Sequence, residues 1–347
     1  MSREKLKSGY TTGTHATAVV GATLDYYFNK NVNKQILVKL PNSIEVIIDV
    51  EFKDNIFSTI KVDNDDLDVT KGVKIYTTLT TLTPKDIKPQ IPSTININNS
   101  KIYIYGGDGV GVVTKRGLKI KPNYPAINPV PLMMIGDIAK DVIKERDFKE
   151  LHIILSIKDG ERISKDTANS KVGVIGGLSI LGTKGVVKPI SSEAYIDSIE
   201  VELSVLDALD EDTVIFTLGN SAFDYAKRHY KEPNIIEVGN FVYDSLQLLK
   251  NRGFKKIIFI TAIAKMTKVA QGCKNTHNRF GGVDFDEVNL WLQFLDISLQ
   301  DEITIKGVLQ NLGVKERDKF FSLVVDRAGD RLYSWADNKI DIDVIVV

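Results

Sequence analysis

Thr213-Val214-Ile215-Phe216-Thr217-Leu218-Gly219-Asn220 is a short apolar run that stops on glycine and asparagine. A second run, Asn234-Ile235-Ile236-Glu237-Val238, stops on Gly239-Asn240, and a third apolar run is Lys256-Ile257-Ile258-Phe259-Ile260-Thr261. Such β-branched and aromatic runs, bounded by turn residues, read as fully buried strands. Helical patterns lie between them, from Ser221 to Tyr230 and from Phe241 to Arg252, the second broken by Gly253. Strand–helix alternation at this period predicts a parallel sheet covered by helices. Gly219-Asn220 and Gly239-Asn240 then fall at the carboxyl edge, where open α/β sheets bind ligands.

Working outward, a helix is expected from Ile263 to Gln271, followed by Asn275-Thr276-His277-Asn278. A longer helix, about Lys315 to Trp335, and a final apolar strand, Ile340 to Val347, close this part. Ser191 and Ser192 are candidate caps for a helix reaching Leu209. Upstream the rhythm changes. Ile36 to Leu40 and Ile44 to Val50 are β-branched runs joined by Pro41-Asn42-Ser43, and Ile56 to Val62, Val73 to Leu82, Lys101 to Tyr105 and Leu151 to Ile157 read as further strands. Ala16, Val19, Val20, Thr23, Leu24 and Tyr27 mark one face of a helix ending near Phe28, and Met133 to Arg146 reads as a second helix. Pro122 to Pro131, with four prolines, is expected to be extended. The expected division is therefore an N-terminal α+β domain over 1–190 and a C-terminal α/β domain over 191–347, with a cleft between them as the default ligand site.

Composition narrows the function classes. The chain has 347 residues, with 45 basic and 45 acidic side chains and zero formal net charge. That argues against a global basic field for wrapping duplex nucleic acid. No apolar run approaches the roughly 20 residues that span a bilayer, and Met1 to Gly9 lacks the apolar core of a signal peptide. One cysteine, Cys273, excludes an intrachain disulfide and a cysteine zinc cluster, and four histidines limit the metal options further. A cytoplasmic enzyme without a protein-bound metal ion, and without nucleic-acid or membrane partners, is the expectation.

Several segments carry possible chemistry. Thr11, Thr12, Gly13, Thr14 and His15 stand where the first helix should begin; the threonines can cap it, and a helix start also attracts anions. Asp63, Asp65, Asp66 and Asp68 lie in a loop that lacks the glycine and closing glutamate of a calcium loop, so it reads as a solvated acidic turn or as acceptors for a ligand's hydroxyls. Gly106-Gly107-Asp108-Gly109-Val110-Gly111 continues through Lys115, Arg116 and Gly117. Its glycines allow close approach of a ligand to backbone N–H groups, or simply a hairpin turn; the spacing fits neither a dinucleotide fingerprint nor a Walker loop. Asp159-Gly160-Glu161-Arg162 follows a buried strand, where charge is costly unless paired or used at a site. Gly173 to Gly185 alternates glycine with apolar residues, which leaves room for something flat. His277 is a candidate acid or base or a hydrogen-bonded loop residue; Cys273 reads as a packing residue.

Taken in order, Gly9 to Thr14, Asp65 to Thr70, Gly106 to Gly117, Asn128-Pro129-Val130-Pro131, Asp159 to Arg162, Gly176 to Thr183, Gly219-Asn220, Asn240-Phe241 and Asn275-Thr276-His277 resemble the cobalt-precorrin-5B C1-methyltransferases, the CbiD family. The resemblance spans about residues 9 to 285. It implies an N-terminal domain similar to the second domain of ribosomal protein S5 and a C-terminal Rossmann-like domain. It also implies S-adenosylmethionine as methyl donor, C1 of a cobalt-containing tetrapyrrole as acceptor, and cobalt present only within that substrate. Three positions depart from the family pattern. His15 replaces a usual cysteine, Thr261-Ala262-Ile263-Ala264-Lys265 keeps only the lysine of a Gly-His-x-Gly-Lys segment, and Leu67 replaces a proline.

On this reading Asp108, Glu161 and His277 are the catalytic candidates. Thr11, Thr12, Gly13, Thr14, His15, Asp66, Asp68, Gly107, Gly109, Gly111, Lys115, Asp159, Arg162, Gly176, Gly177, Ser179, Gly182, Thr183, Asn220, Asn240, Lys265, Asn275 and Thr276 are the candidates for binding substrate or donor. The flat ring is expected against Gly176 to Gly185. Two alternatives stay open: a small-molecule kinase with an S5-like domain, disfavoured by the missing Walker loop, and a non-catalytic tetrapyrrole carrier.

Overall fold

A computed structural model describes residues 8–61, 69–187, 192–298 and 303–347. The chain divides into two compact units, Met1–Ser191 and Ser192–Val347.

Unit 1 runs β1 (Gly9–Tyr10), α1 (Thr12–Asn29), β2 (Gln35–Lys39), β3 (Glu45–Asp49), β4 (Glu51–Lys53), β5 (Ile56–Ile60), β6 (Lys74–Thr80), β7 (Ser93–Ile97), β8 (Ser100–Gly106), β9 (Val112–Val113), α2 (Pro129–Ile143), β10 (Glu150–Ile157), α3 (Gly160–Ser164), β11 (Val174–Ile175) and β12 (Val186–Val187). Its main sheet has the order β4-β5-β6-β10-β8-β7 and is antiparallel except for the β10–β8 pair. β2–β3, β1–β12 and β9–β11 form separate antiparallel pairs.

The core follows from strand alternation. Ile75, Ile102, Ile104, Leu151, Ile153 and Leu155 bury one face of the sheet together with residues of α1 and α2. Each such side chain contributes roughly 1.5–3 kcal/mol by leaving water. α1 differs from its expected one-sided pattern: every residue from Thr12 to Leu24 is buried. Its small residues permit this, and at Gly21 a methyl would overlap Ile138 of α2. α2 begins at Pro129, earlier than expected, because proline fits the first helical turn where its missing N–H has no partner to lose. β4 and β7 were not foreseen; Glu51–Lys53 and Ser93–Ile97 are short and mostly polar.

Unit 2 runs α4 (Ser192–Asp207), β13 (Thr213–Leu218), α5 (Asn220–His229), β14 (Ile235–Glu237), α6 (Val242–Gln247), β15 (Lys256–Thr261), α7 (Ile263–Ala270), α8 (Phe285–Phe294), α9 (Ile305–Asn311), α10 (Val314–Trp335) and β16 (Asp341–Val346). All pairs in the sheet β14-β13-β15-β16 are parallel. Successive residues point to opposite faces. Val214, Phe216 and Phe259 pack in the larger core with residues of α4, α6, α7 and α10, whereas Ile215, Ile258 and Ile260 meet Ala222 and Ala226 of α5. Burial on both faces explains why these strands read as unbroken apolar runs. α6 is shorter than the expected Phe241–Arg252 helix, and α8 and α9 went unread for want of a clear apolar period.

Among the described residues, no helix is long and apolar enough to cross a membrane.

Candidate active site

In unit 1 the motif segments are stitched to one another. Thr11 caps α1 by accepting the Thr14 N–H at 3.3 Å, and its own N–H donates to Gly185 O at 3.1 Å. The Thr12 hydroxyl lies within 3.3 Å of Ser179 O and Leu181 O and accepts the Leu181 N–H at 2.9 Å. Gly13 N–H donates to Leu181 O at 3.0 Å, and the Thr14 hydroxyl to Gly185 O at 2.7 Å. Of the two readings of this helix start, the cap is present. Thr11, Thr12, Gly13 and Thr14 are buried, and these donors hold the Ser179–Gly185 strip in place.

His15 is also interior. Thr59 spends its single hydroxyl proton on Asp49 O at 2.7 Å, so it accepts from His15 Nδ1–H at 3.1 Å. That leaves Nε2 as a buried lone pair without a partner among the described residues. Burial, and then the nearby Lys61, lower the His15 pKa to about 4, so the ring is neutral.

Several glycines of unit 1 are filled by neighbouring chain rather than open. Leu178 N–H donates to Gly109 O at 2.8 Å and Gly111 N–H to Leu178 O at 2.9 Å. A methyl on Gly177 would overlap the Gly109 backbone, and one on Gly109 would overlap Ile157 O. Gly109 and Gly177 are buried by this backbone-on-backbone packing, Gly107 against the Ser156 and Ile154 side chains, and Gly111 against Val174 and the Gly177 backbone. A methyl on Gly182 would strike Thr11, and one on Gly176 would lie 2.9 Å from Lys88 Nζ. Ser179 is half-buried and Thr183 exposed. Lys115 is occupied internally, donating to Lys171 O at 3.0 Å.

One group of charges in unit 1 does face water. Asp108, Asp159, Glu161 and Arg162 are exposed, so for the last three burial does not require a partner. The fold brings their backbones together at the carboxyl ends of the parallel strands β8 and β10. Ile157 N–H donates to Asp108 O at 2.8 Å, and Gly109 abuts Gly160. Asp66 and Asp68 lie outside the described residues. No group of three or more His, Cys, Asp or Glu among the described residues is arranged to hold a metal ion. Two surface depressions of about 630 and 410 Å³, one lined by Asn33, Lys34, Gln35, Asp49 and Val50 and the other by residues 39–41, 43, 133, 134, 137, 140 and 141, contain no candidate residue.

Unit 2 gathers its candidates along the carboxyl edge of the parallel sheet. The chain leaves β13 toward β14 on one side, and leaves β15 toward β16 on the other. Between β13 and β15 the loops therefore diverge, the place where open α/β sheets bind ligands. Gly219 (φ +98°) enters α5 there, and a methyl on it would meet only Lys265 Nζ, at 3.5 Å. Lys265 is half-buried on the first turn of α7; desolvation, and then the charge of Lys268, lower its pKa. Asn220 is exposed and Asn240 half-buried. Thr276 joins the third loop to the edge, its N–H donating to Asn240 O at 3.1 Å and its hydroxyl to Asn240 Oδ1 at 3.0 Å. Asn275 Oδ1 accepts the His277 N–H at 3.0 Å. The exposed His277 accepts the Arg279 N–H on Nδ1 at 3.1 Å, so its neutral ring carries the proton on Nε2. Cys273 is half-buried, and burial raises its thiol pKa.

Two residues of this edge escaped the sequence reading. Glu237 closes β14, about 20 residues past Gly219, the distance at which a strand-end acid meets a ribose in nucleotide-binding sheets. Lys268 is buried in α7, one turn beyond Lys265.

A family model described as CbiD matches residues 1–189. A protein of Picrophilus torridus named cobalt-precorrin-5B C(1)-methyltransferase is 36% identical over 97% of this chain and 96% of its own length. The chain belongs to the CbiD family. Proteins of the same name from Sulfurisphaera tokodaii (32% identical, 98% of this chain and 94% of that one) and a Thermoanaerobacter species (33%, 99% and 93%) align just as fully. A solved structure, the cobalamin biosynthesis protein (cbiD) of Archaeoglobus fulgidus, aligns over 84% of this chain and 85% of that one, with 22% identity and a TM-score of 0.42. The family model covers the stitched motifs of unit 1, and the full-length relatives cover the open edge of unit 2 as well.

Proposed function

We propose that the protein transfers a methyl group from S-adenosylmethionine to C1 of cobalt-precorrin-5B, giving cobalt-precorrin-6A. The observation that carries this is the near end-to-end similarity to relatives bearing that activity in their name, 36% identical over 97% of the chain in one case. The fold supports it. Unit 2, with its parallel sheet and a strand order that reverses between β13 and β15, is read as Rossmann-like. Unit 1, a mixed sheet with α1 and α2 packed on one face, is read as an S5 domain 2-like fold.

The donor's chemistry fits the unit 2 edge. Lys265, half-buried beside the bare backbone of Gly219, suits the donor's carboxylate. Glu237 suits the ribose hydroxyls, and Asn220, Asn240 and Asn275 offer neutral polar groups around them. In unit 1, Arg162 suits a carboxylate on the rim of the macrocycle, and Asp108 and Glu161 are exposed proton acceptors. Cobalt enters only as part of the substrate.

The reaction asks for alignment more than for acid or base. The C1–methyl bond forms as the sulfur–methyl bond breaks, and the electron pair of the broken bond stays on sulfur. Holding the three atoms in line can lower the barrier by about 7–11 kcal/mol. His277, with Nε2–H outward, can donate a hydrogen bond to the acceptor or accept a proton once it has rotated.

The test is to incubate purified protein with cobalt-precorrin-5B and methyl-labelled S-adenosylmethionine and weigh the tetrapyrrole. One labelled methyl per macrocycle is expected. Binding without transfer would support the carrier reading instead.

A further inference from the structure

Lys268 is 6% exposed, yet its ammonium has no carboxylate partner among the described residues. Burying a charge is costly unless every donor is satisfied. Here the satisfaction comes from one loop. Nζ donates to Thr276 O at 3.1 Å, to Asn278 Oδ1 at 2.7 Å and to Gly281 O at 3.0 Å. All three protons are spent on neutral oxygens that bracket His277 on both sides. The loop is closed at its base by a second clamp: Gln271 Nε2 donates to Asp284 O at 2.7 Å, and Asp284 N–H donates to Gln271 Oε1 at 3.0 Å.

The chain thus folds a turn around an interior cation, and the outer side of that turn carries His277. The turn sets the ring's proton position, because His277 caps the short 3₁₀ turn Asn278–Phe280 and its Nδ1 accepts the Arg279 N–H of that turn. Asn278, the first residue of that turn, is itself held by Lys268.

We infer that Lys268 is a positioning residue that holds the Asn275–Gly281 turn and thereby fixes His277 in its Nε2–H form at the carboxyl edge of unit 2. The assignment of a role in methyl transfer rests on the function proposed above; the effect on His277 does not. The same buried charge lies close enough to Lys265 to help lower its pKa, which ties it to the same edge.

The experiment uses the full-length chain labelled with nitrogen-15. Long-range proton–nitrogen spectra of the neutral imidazoles report the tautomer, with the His277 signals assigned by His277→Asn. The wild type is expected to show the Nε2–H form alone. Lys268→Met should give a mixture of tautomers. Its kcat for methyl transfer should fall on the order of tenfold while the donor KM moves by less than about threefold, since alignment rather than donor binding is lost. Asn278→Ala, at an exposed position, removes one of the three acceptors and should shift both readouts the same way by less. A folded Lys268→Met protein that keeps the pure Nε2–H form overturns the inference. If that variant does not fold, an Asn278→Ala protein with unchanged tautomer and unchanged kcat overturns it. A wild type that transfers no methyl sinks the functional reading, and the spectra still decide the effect on His277.

Discussion

Most motif glycines of the two units do opposite things. In unit 1, Gly109, Gly111, Gly160 and Gly177 let one backbone lie directly on another, so the space their missing side chains leave is already filled. In unit 2, Gly219 looks across at Lys265 alone, and beside Gly281 and Gly282 there is open space. Gly239 is the exception in unit 2, where a methyl would lie 2.9 Å from the Tyr195 ring; the other motif glycines mark packing in the first unit and access in the second. Both patterns look alike in a sequence, because glycine permits close approach without saying what approaches.

The largest effect that can break this contrast is steric. Gly177 lacks a positive φ, so Gly177→Ala tests the close approach alone. It should destabilise by about 3 kcal/mol or more, or prevent soluble folding, because the opposing group is backbone and cannot rotate away. Gly282→Ala, in open space, should stay within about 0.5 kcal/mol. Urea denaturation of both variants measures the difference, and equal costs would erase the contrast.

Next in size is the acid response of unit 1's interior. The His15 pKa is near 4 in the fold against 6.5 when unfolded. Above pH 6.5 the ring is neutral in both states and contributes no pH dependence. As pH falls below 6.5 the unfolded chain takes up the proton first, so stability drops until about pH 4, by on the order of 3 kcal/mol. His15→Leu should flatten that part of the profile in stability measured across pH. A slope that persists in the variant would mean the titrating group lies elsewhere.

The smallest effect belongs to the open edge. Lys265→Met should weaken S-adenosylhomocysteine binding about tenfold, or ~1.4 kcal/mol. Stability should hold, because the variant removes a partly desolvated charge. Calorimetric titration gives the first number and thermal unfolding the second; unchanged affinity with lost stability would make Lys265 a structural residue.

Much of the architecture was legible. The runs ending at Leu218, Val238 and Thr261 announced a parallel sheet because strands buried on both faces cannot alternate polar and apolar residues. The threonine cap of α1 was legible too, since Thr11 at a helix start has few other uses. The partner of that cap was not: the Ser179–Gly185 strip lies more than 160 residues away in sequence, and its oxygens belong to backbone, which leaves no trace in residue type. The exposure of Asp159 and Glu161 was not legible for a related reason, because a strand's burial says little about the turn after it. Lys268 was hidden by its own identity, since lysine in a helix ordinarily points to water.

The claim underneath these comparisons is that the methyl donor rests on the open edge of unit 2, while the glycine segments of unit 1 close on themselves. Amide hydrogen exchange with and without S-adenosylhomocysteine tests it most directly. The account predicts slowed exchange in peptides holding Gly219–Ser221, Asn240–Phe241 and Asn275–His277, with Gly107–Gly111 and Gly177–Ile180 unchanged. Slowing confined to those unit 1 peptides, with the unit 2 edge unaltered, would contradict it.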